Sequence, residues 1–257
     1  MTNPYAFLSD DLGTRFIGKN IVYFPQLAST MDAARAAARR GAAEGTVVVA
    51  GEQTGGRGRL RRDWFTPPGN LALSMILYPS LAALPYLVMA ASLAVADAIE
   101  KYAGPAANIK WPNDILIGGK KVGGILIENE FKAPGVACAI VGIGINVGLR
   151  PGDIEEIAAT AAGLEAVSGR KVSPRLVLKY LLEEFERLYR RLPDGRPIFE
   201  AWRGRLVTLG SRVIARWGDD VIEGIAESVD ESGALYIRRA DGVLSRVVAG
   251  DVTPCEK

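Results

Sequence analysis

The chain contains no histidine. Histidine is the usual general base near neutral pH and the commonest metal ligand. Its absence excludes the serine–histidine and cysteine–histidine nucleophilic mechanisms. Cysteine is nearly as scarce: Cys138 lies in an apolar run and Cys255 near the C-terminus. Two thiols so far apart make neither a disulfide framework nor a metal-ligand spacing. An excess of charge is missing too. Lys and Arg number 31 against 29 Asp and Glu, a formal net charge of +2. Bulk charge therefore does not mark a polyanion-binding protein, and any electrostatic specificity must be local. Long hydrophobic runs are also lacking. The stretch "YLVMAASLAVADAI" is short for a membrane span and is interrupted by Asp97. The N-terminal "MTNPYAFLSDDLG" is acidic and lacks the basic-then-apolar order of a secretory signal. A soluble, cytoplasmic protein without a membrane partner is the expectation.

What is present suits one large domain, or a main domain with a small appendix: 257 residues, 49% of them apolar and 23% charged. "IVYFPQL" reads as a short strand. "STMDAARAAARRG" reads as a helix that Ser29 or Thr30 can cap, with Asp32 in its first turn and Gly41 after its end. "TVVVAGE" and "NLALSMILY" read as strands flanking an arginine-rich loop, and "VACAIVGIGINVG" as a buried strand. A helix opens near Pro85 and stops at Gly104. Ser173-Pro174 opens another, with Leu178, Leu181, Leu182, Phe185, Leu188 and Tyr189 at helical spacing. A shorter helix is expected around 197–204. Beyond about residue 207, turn signals at Gly218-Asp219, Ser232-Gly233 and Asp241-Gly242 separate four or five short strands, the texture of a small barrel or sandwich. A domain boundary is placed near Leu206.

Two stretches carry chemistry. "GEQTGGRGRLRRDW" concentrates Arg57, Arg59, Arg61 and Arg62 among glycines. Glycine lets backbone N–H groups approach an anion, and arginine supplies planar donors matched to carboxylate and phosphate. Without an anion the four charges repel, so the loop is expected to be mobile until a ligand orders it. A solvated basic loop, or a nucleic-acid contact, is the competing reading. The lysine and serine/threonine of a P-loop are missing. The second stretch, "NIKWPNDILIGGKKVGGILIENE", reads as a hairpin turning at Gly118-Gly119. A two-residue turn pairs Leu116 with Lys121 and Asp114 with Gly123. Asp114 and Lys121 then lie diagonally on one face, roughly 7–8 Å apart, with Gly123 leaving a gap for a phosphate-bearing ligand and Asp114 available to a metal ion. A surface ion pair is the bland alternative, and a bulge would break the parity. Gly142 and Gly144 share a face where a ligand or another element can approach closely.

"ST" at 29–30, "EQTGGRGRLRRDW", "KWPND", "KKVGGILIE" and "GIGINV", in this order, give the chain its resemblance. It resembles the biotin protein ligases, also called biotin–[acetyl-CoA-carboxylase] ligases, over about residues 15–257. The resemblance implies an α+β fold: a mixed β-sheet flanked by helices (residues 1–206, binding biotin and ATP), followed by a small SH3-like β-barrel (207–257). It implies ATP-dependent formation of biotinyl-5′-AMP, then transfer of biotin to a lysine of the biotin carboxyl carrier protein, with Mg2+ required and a homodimer as the assembly. By position, Ser29, Thr30 and Gln53 would bind the biotin headgroup. Arg57, Gly58 and Arg59 would close over biotin and the adenylate phosphate. Arg62 would meet ATP phosphates, and Trp64 would stack near adenine. Asn113 and Asp114 would position phosphate and Mg2+, and Lys121 would touch both the biotin carboxylate and the α-phosphate. Gly123, Gly124 and Asn146 would shape the pocket. Lys121 and Arg59 are the catalytic candidates.

The chain departs from the family's pattern in places. Many members carry asparagine after the "ST" pair, where Met31 stands here, and the bacterial repressor type has glycine in place of Arg61. Some relatives carry an N-terminal winged helix-turn-helix. Barely 20 residues precede the first strand here, so no DNA-binding domain and no repressor role are expected. A lipoate–protein ligase or octanoyltransferase is the alternative enzyme. A nucleic-acid-binding module is the non-enzymatic alternative, and it leaves the Asp114–Lys121 arrangement without a purpose.

Overall fold

Continuous apolar runs, rather than alternating ones, build the centre of the molecule. In the computed structural model, which describes residues 4–5, 8–132, 135–150, 152–217 and 220–254, strands β1 (Ile21–Phe24), β2 (Val47–Ala50), β3 (Leu71–Leu77), β4 (Asn108–Lys110), β5 (Asp114–Ile117), β6 (Lys120–Lys132) and β7 (Gly135–Ile145) form one sheet in the order β1-β2-β3-β7-β6-β5-β4. Only β1 and β2 pair in parallel. Strands β2 and β3 are buried along their whole length, as expected for strands covered on both faces. Cys255 and the Gly218-Asp219 turn lie outside the described residues.

Helices cover both faces. After a short helix α1 (Leu8–Asp11), α2 (Thr30–Arg39) closes a small cluster of Met31, Ala34, Val48, Ile76, Cys138 and Ile140. The opposite face meets α3 (Leu84–Ala103), with α5 (Pro174–Tyr189) and α6 (Arg196–Gly204) packed around it and the short α4 (Leu164–Ser168) preceding them. From Leu81 to Ala103 the chain is, in length and composition, long and apolar enough for a membrane span, contrary to the sequence expectation. It serves here as the central core helix, with 67% of its most apolar window buried inside the protein. On α5, Leu178, Leu181, Leu182, Phe185 and Leu188 are buried as the periodicity predicts, joined by Val177. Each such side chain contributes roughly 1.5–3 kcal/mol. Glu186, on the same helix, is buried because its carboxylate accepts the backbone N–H groups of Arg15, Phe16 and Ile17 at 2.6, 3.0 and 2.9 Å.

Five strands, β8 (Arg212–Trp217), β9 (Asp220–Val229), β10 (Leu235–Arg238), β11 (Leu244–Val247) and β12 (Asp251–Pro254), form the second sheet, antiparallel throughout, in the order β11-β10-β9-β8-β12. It is the small SH3-like element. It is tied to the first sheet by Trp111, whose backbone N–H donates to Thr208 Oγ1 at 2.9 Å and whose indole N–H donates to the Gly233 carbonyl at 2.8 Å.

The β5–β6 hairpin corrects one expectation. Gly118 and Gly119 do form the turn, both with positive φ, and Leu116 does pair with Lys121. Asp114, however, pairs with Gly124 and not with Gly123, because Val122 is an extra residue on β6. The cause lies outside the hairpin. Lys121 donates its N–H to Thr160 and accepts from Ala162, so segment 157–162 competes for its backbone. The Val122 carbonyl is taken by the Asn146 N–H at 2.8 Å. The bulge turns Lys121 onto Asp114: Nζ lies 2.6 Å from Oδ1, a direct ion pair rather than a diagonal pair with a gap.

Candidate active site

Every nominated side chain except one glycine converges on a single cavity of about 550 Å3. Its wall includes Ser29, Thr30, Gln53, Arg57, Gly58, Arg59, Arg62, Trp64, Asn113, Asp114, Lys121, Gly124 and Asn146. Gly123 is not in that wall. A Cβ there would point toward Ile115 and the Gly144 carbonyl, because the bulge moves the cavity-facing glycine one position on, to Gly124.

One end of the cavity is neutral and buried. Ser29 and Thr30 stand at the start of α2, but neither side chain caps the helix. The Thr30 N–H instead donates to Gln53 Oε1 at 2.8 Å, and the Thr30 hydroxyl donates to the same oxygen at 3.0 Å. A residue from the following loop thus takes the cap's role. Gln53 Nε2 donates one hydrogen to Thr66 Oγ1 at 3.2 Å. Its second hydrogen and the Ser29 hydroxyl proton remain for a ligand. Met31, in place of the family's asparagine, puts sulfur against β7: a Cβ on Gly142 would lie 2.4 Å from Met31 Sδ.

A platform follows. Gly124 and Gly144 pair across β6 and β7, and the Trp64 indole lies on them. A Cβ at Gly144 would meet indole atoms at 2.1–2.4 Å, and one at Gly124 would meet the ring at 3.1 Å. Lys121 Nζ sits 5.4 Å from the Trp64 ring centroid, within cation–π range. In this structure Trp64 therefore meets two glycines and an ammonium group.

The other end is cationic, and here the loop expectation is corrected. Two of the four arginines, Arg57 and Arg62, do not simply repel their neighbours, because the protein supplies them with counter-ions. Arg57 makes two 2.7 Å bonds to Asp32 and lies 3.5 Å from Glu128. The Arg57 hydrogen bond holds the Asp32 carboxyl below the usual carboxylate range, and Arg57 itself is pushed up. Arg62 pairs with Asp251 of β12 at 2.5 Å. Burial pushes the Asp251 carboxyl up, but Arg62, with Lys110 and Arg59 nearby, outweighs it and leaves the group low. Arg59 differs. Its guanidinium donates to Asn113 Oδ1 at 3.1 Å and to the Gly250 carbonyl at 3.2 Å, both neutral acceptors. Burial lowers its pKa. Arg59 is half-buried, and Asp114 and Asp251 offset its desolvation only at a distance, so an anion in direct contact would stabilise it. Leu60 and Arg61, at the loop tip, both adopt positive φ, 55° and 58°. Asn146 donates from Nδ2 to the Lys121 carbonyl at 3.3 Å, so it shapes the site by holding the bulge.

Compared with known proteins, the chain is 37% identical over 247 residues to the bifunctional ligase/repressor BirA of Bacillus subtilis, covering 94% of this chain and 76% of that relative. The chain belongs to the biotin protein ligase family. As a biotin protein ligase family member it matches the model of the biotin/lipoate A/B protein ligase family over residues 23–146, and that of the biotin protein ligase C terminal domain over 208–253. It is also 41% identical over 203 residues to the biotin–[acetyl-CoA-carboxylase] ligase of Paracoccus denitrificans, covering 76% of this chain and 85% of that one. Among solved structures it is similar to the biotin protein ligase of Aquifex aeolicus in complex with biotin and ATP, with a TM-score of 0.77 and 28% identity over 93% of this chain and 100% of that one.

Sequence reasoning about this family member missed the counter-ions Asp32, Glu128 and Asp251, the hydroxyls Ser74 and Thr66, and the part played by β12. Asp32 carried a signal, since it sits in the first turn of α2, whose start lines the cavity. Asp251 carried none: only folding brings residue 251 to residue 62.

Proposed function

We propose that this protein is a biotin protein ligase, activating biotin with ATP and transferring it to a lysine of a biotin carboxyl carrier protein. One observation carries the reading: a single cavity joins a neutral donor/acceptor end to a cationic end. The neutral end offers the Ser29 hydroxyl and a Gln53 N–H as donors and Thr30 Oγ1 as acceptor. A ureido group, with a carbonyl oxygen beside N–H groups, meets that pattern. A dithiolane ring leaves those buried groups unpaired, at about 1–3 kcal/mol each, which disfavours lipoate.

At the cationic end two anions must meet. A carboxylate oxygen of biotin attacks the α-phosphorus of ATP, the α–β P–O bond breaks, and pyrophosphate leaves as biotinyl-5′-AMP forms. The amine of the acceptor lysine then attacks the acyl carbon, and AMP leaves. No histidine is needed for the first step, because both reactants are already ionised. The barrier is their repulsion, and fixed cations remove it. Lys121, anchored on one side by Asp114 at 2.6 Å, keeps donors for both anions. Arg59, hydrogen-bonded only to neutral acceptors, gains a contacting anion when phosphate enters. Arg57, bound to Asp32 and close to Ser29, closes the loop over the headgroup.

Among the described residues no cluster of three acidic, cysteine or histidine side chains stands ready for a metal. Asp114 has one oxygen on Lys121 and one left over. That single carboxylate suits Mg2+, which typically relies on one or two carboxylates with water and substrate phosphates rather than on a protein cage. When bound there, the ion would neutralise phosphate charge. The deciding experiment compares AMP release with biotin and with lipoate, using purified carrier protein as acceptor. Release with biotin is expected. Release with lipoate alone overturns the reading.

A further inference from the structure

We infer that Ser74, outside the cavity wall and assigned no role by the motifs, is a positioning residue that sets which hydrogen-bonding pattern the headgroup end presents. The inference rests on the biotin reading above.

The Thr30 backbone N–H can only donate, so the Gln53 side-chain atom 2.8 Å from it is the amide oxygen. That fixes the amide orientation and turns Nε2 toward Thr66 and the cavity. The Thr30 hydroxyl lies between two oxygens, Gln53 Oε1 at 3.0 Å and Ser74 Oγ at 2.8 Å. Gln53 Oε1 can only accept, so Thr30 gives its proton there. Ser74 must then give its own proton to Thr30. Ser74 is fully buried in the middle of β3, opposite Gly142 on β7. Among the described residues its hydroxyl bonds to Thr30 alone.

The relay therefore runs one way, from Ser74 to Thr30 to Gln53. It leaves Thr30 with one lone pair and no proton for the cavity, and Gln53 with one N–H. Thr30 is an acceptor and Gln53 a donor, the complement of an adjacent N–H and C=O in a ureido ring. Without the Ser74 hydroxyl, Thr30 loses the contact that pins its side chain, and its hydroxyl can leave Gln53. Ser74 touches neither substrate, and it lies away from the cationic end, so its loss should weaken biotin recognition without slowing the chemistry.

The test is steady-state pyrophosphate release by Ser74→Ala and by Ser74→Cys, which keeps a donor at the same position, larger and weaker than the hydroxyl. For Ser74→Ala the biotin KM should rise about three- to tenfold, with kcat and the ATP KM unchanged and the melting temperature within a degree or two. Ser74→Cys should fall between it and the wild type. An unchanged biotin KM in Ser74→Ala overturns the inference. So does a joint shift of kcat, both KM values and the melting temperature, which would mark Ser74 as merely structural. A wild type that uses lipoate and not biotin overturns the functional reading itself, a separate and recognisable result.

Discussion

The two ends of the cavity are built by opposite rules. At the neutral end Ser74, Thr30, Gln53 and Thr66 are tied into a directed chain, and only the Ser29 hydroxyl stands outside it, accepting from Arg57 at 3.4 Å. At the cationic end charges abound, and their satisfaction is uneven. Arg57 and Arg62 have carboxylates in contact, whereas the more deeply buried Arg59 has only an amide and a carbonyl. A network whose donor and acceptor directions are fixed selects, because any ligand must match the groups it leaves open. An unsatisfied charge drives, because it is stabilised only when an anion arrives. For the proposed reaction, specificity and activation would thus fall to separate walls.

The comparison breaks most sharply at Lys121. Lys121→Ala should lower the rate of pyrophosphate release by about 10²–10³-fold, while the melting temperature stays nearly constant. A normal burst of pyrophosphate would remove Lys121 from the chemistry. Next is Arg59. In Arg59→Ala the bound adenylate should escape roughly ten- to a hundredfold faster, read by trapping released biotinyl-5′-AMP. The urea midpoint should not fall, since a half-buried charge without a contacting carboxylate has been removed. A clear loss of stability would mean that Arg59 is held for structure.

Smaller effects sharpen the contrast. The Asp32 and Asp251 carboxyls titrate below their ordinary value in the folded protein. Pairs of this kind stabilise the fold above the ordinary carboxylate range, and that stabilisation is lost as pH falls through the depressed folded values. The difference in stability between wild type and Asp32→Asn should therefore be steady from pH 7 down to about 5 and shrink below about 4. Its size should be about 0.2–1 kcal/mol, as the Asp32 side chain is about half exposed. Thermal melts across that range check it, and a difference that grows with acidity contradicts the pairing. The smallest effect belongs to the loop tip. Arg61→Gly should stabilise the closed loop by about 1 kcal/mol, because the left-handed backbone at Arg61 strains any side chain. Slower proteolysis of the loop is the readout.

Much of this was legible in the sequence for physical reasons. A Gly-Gly pair between apolar strands can hardly do other than turn, so the hairpin and the Leu116–Lys121 register followed. The helix beginning at Thr30 and the shared face of Gly142 and Gly144 followed from periodicity and from the need for close approach, but that Met31 and Trp64 fill that face did not. What failed was long-range. The Val122 bulge depends on segment 157–162 competing for the Lys121 backbone, and local parity cannot report that. The pairing of Arg57 and Arg62 depends on carboxylates elsewhere in the chain, at 32, 128 and 251. Ser74 reads as an ordinary small strand residue until the fold places it 2.8 Å from Thr30.

The most direct test of the division between the walls is biotin-dependent exchange of pyrophosphate into ATP, measured side by side for Thr30→Val and Lys121→Ala. The account predicts that Thr30→Val raises the biotin KM about ten- to a hundredfold with kcat nearly unchanged, and that Lys121→Ala lowers kcat with the biotin KM little moved. Both variants losing kcat and biotin affinity in the same proportion would show that the two ends act as one, and would contradict it.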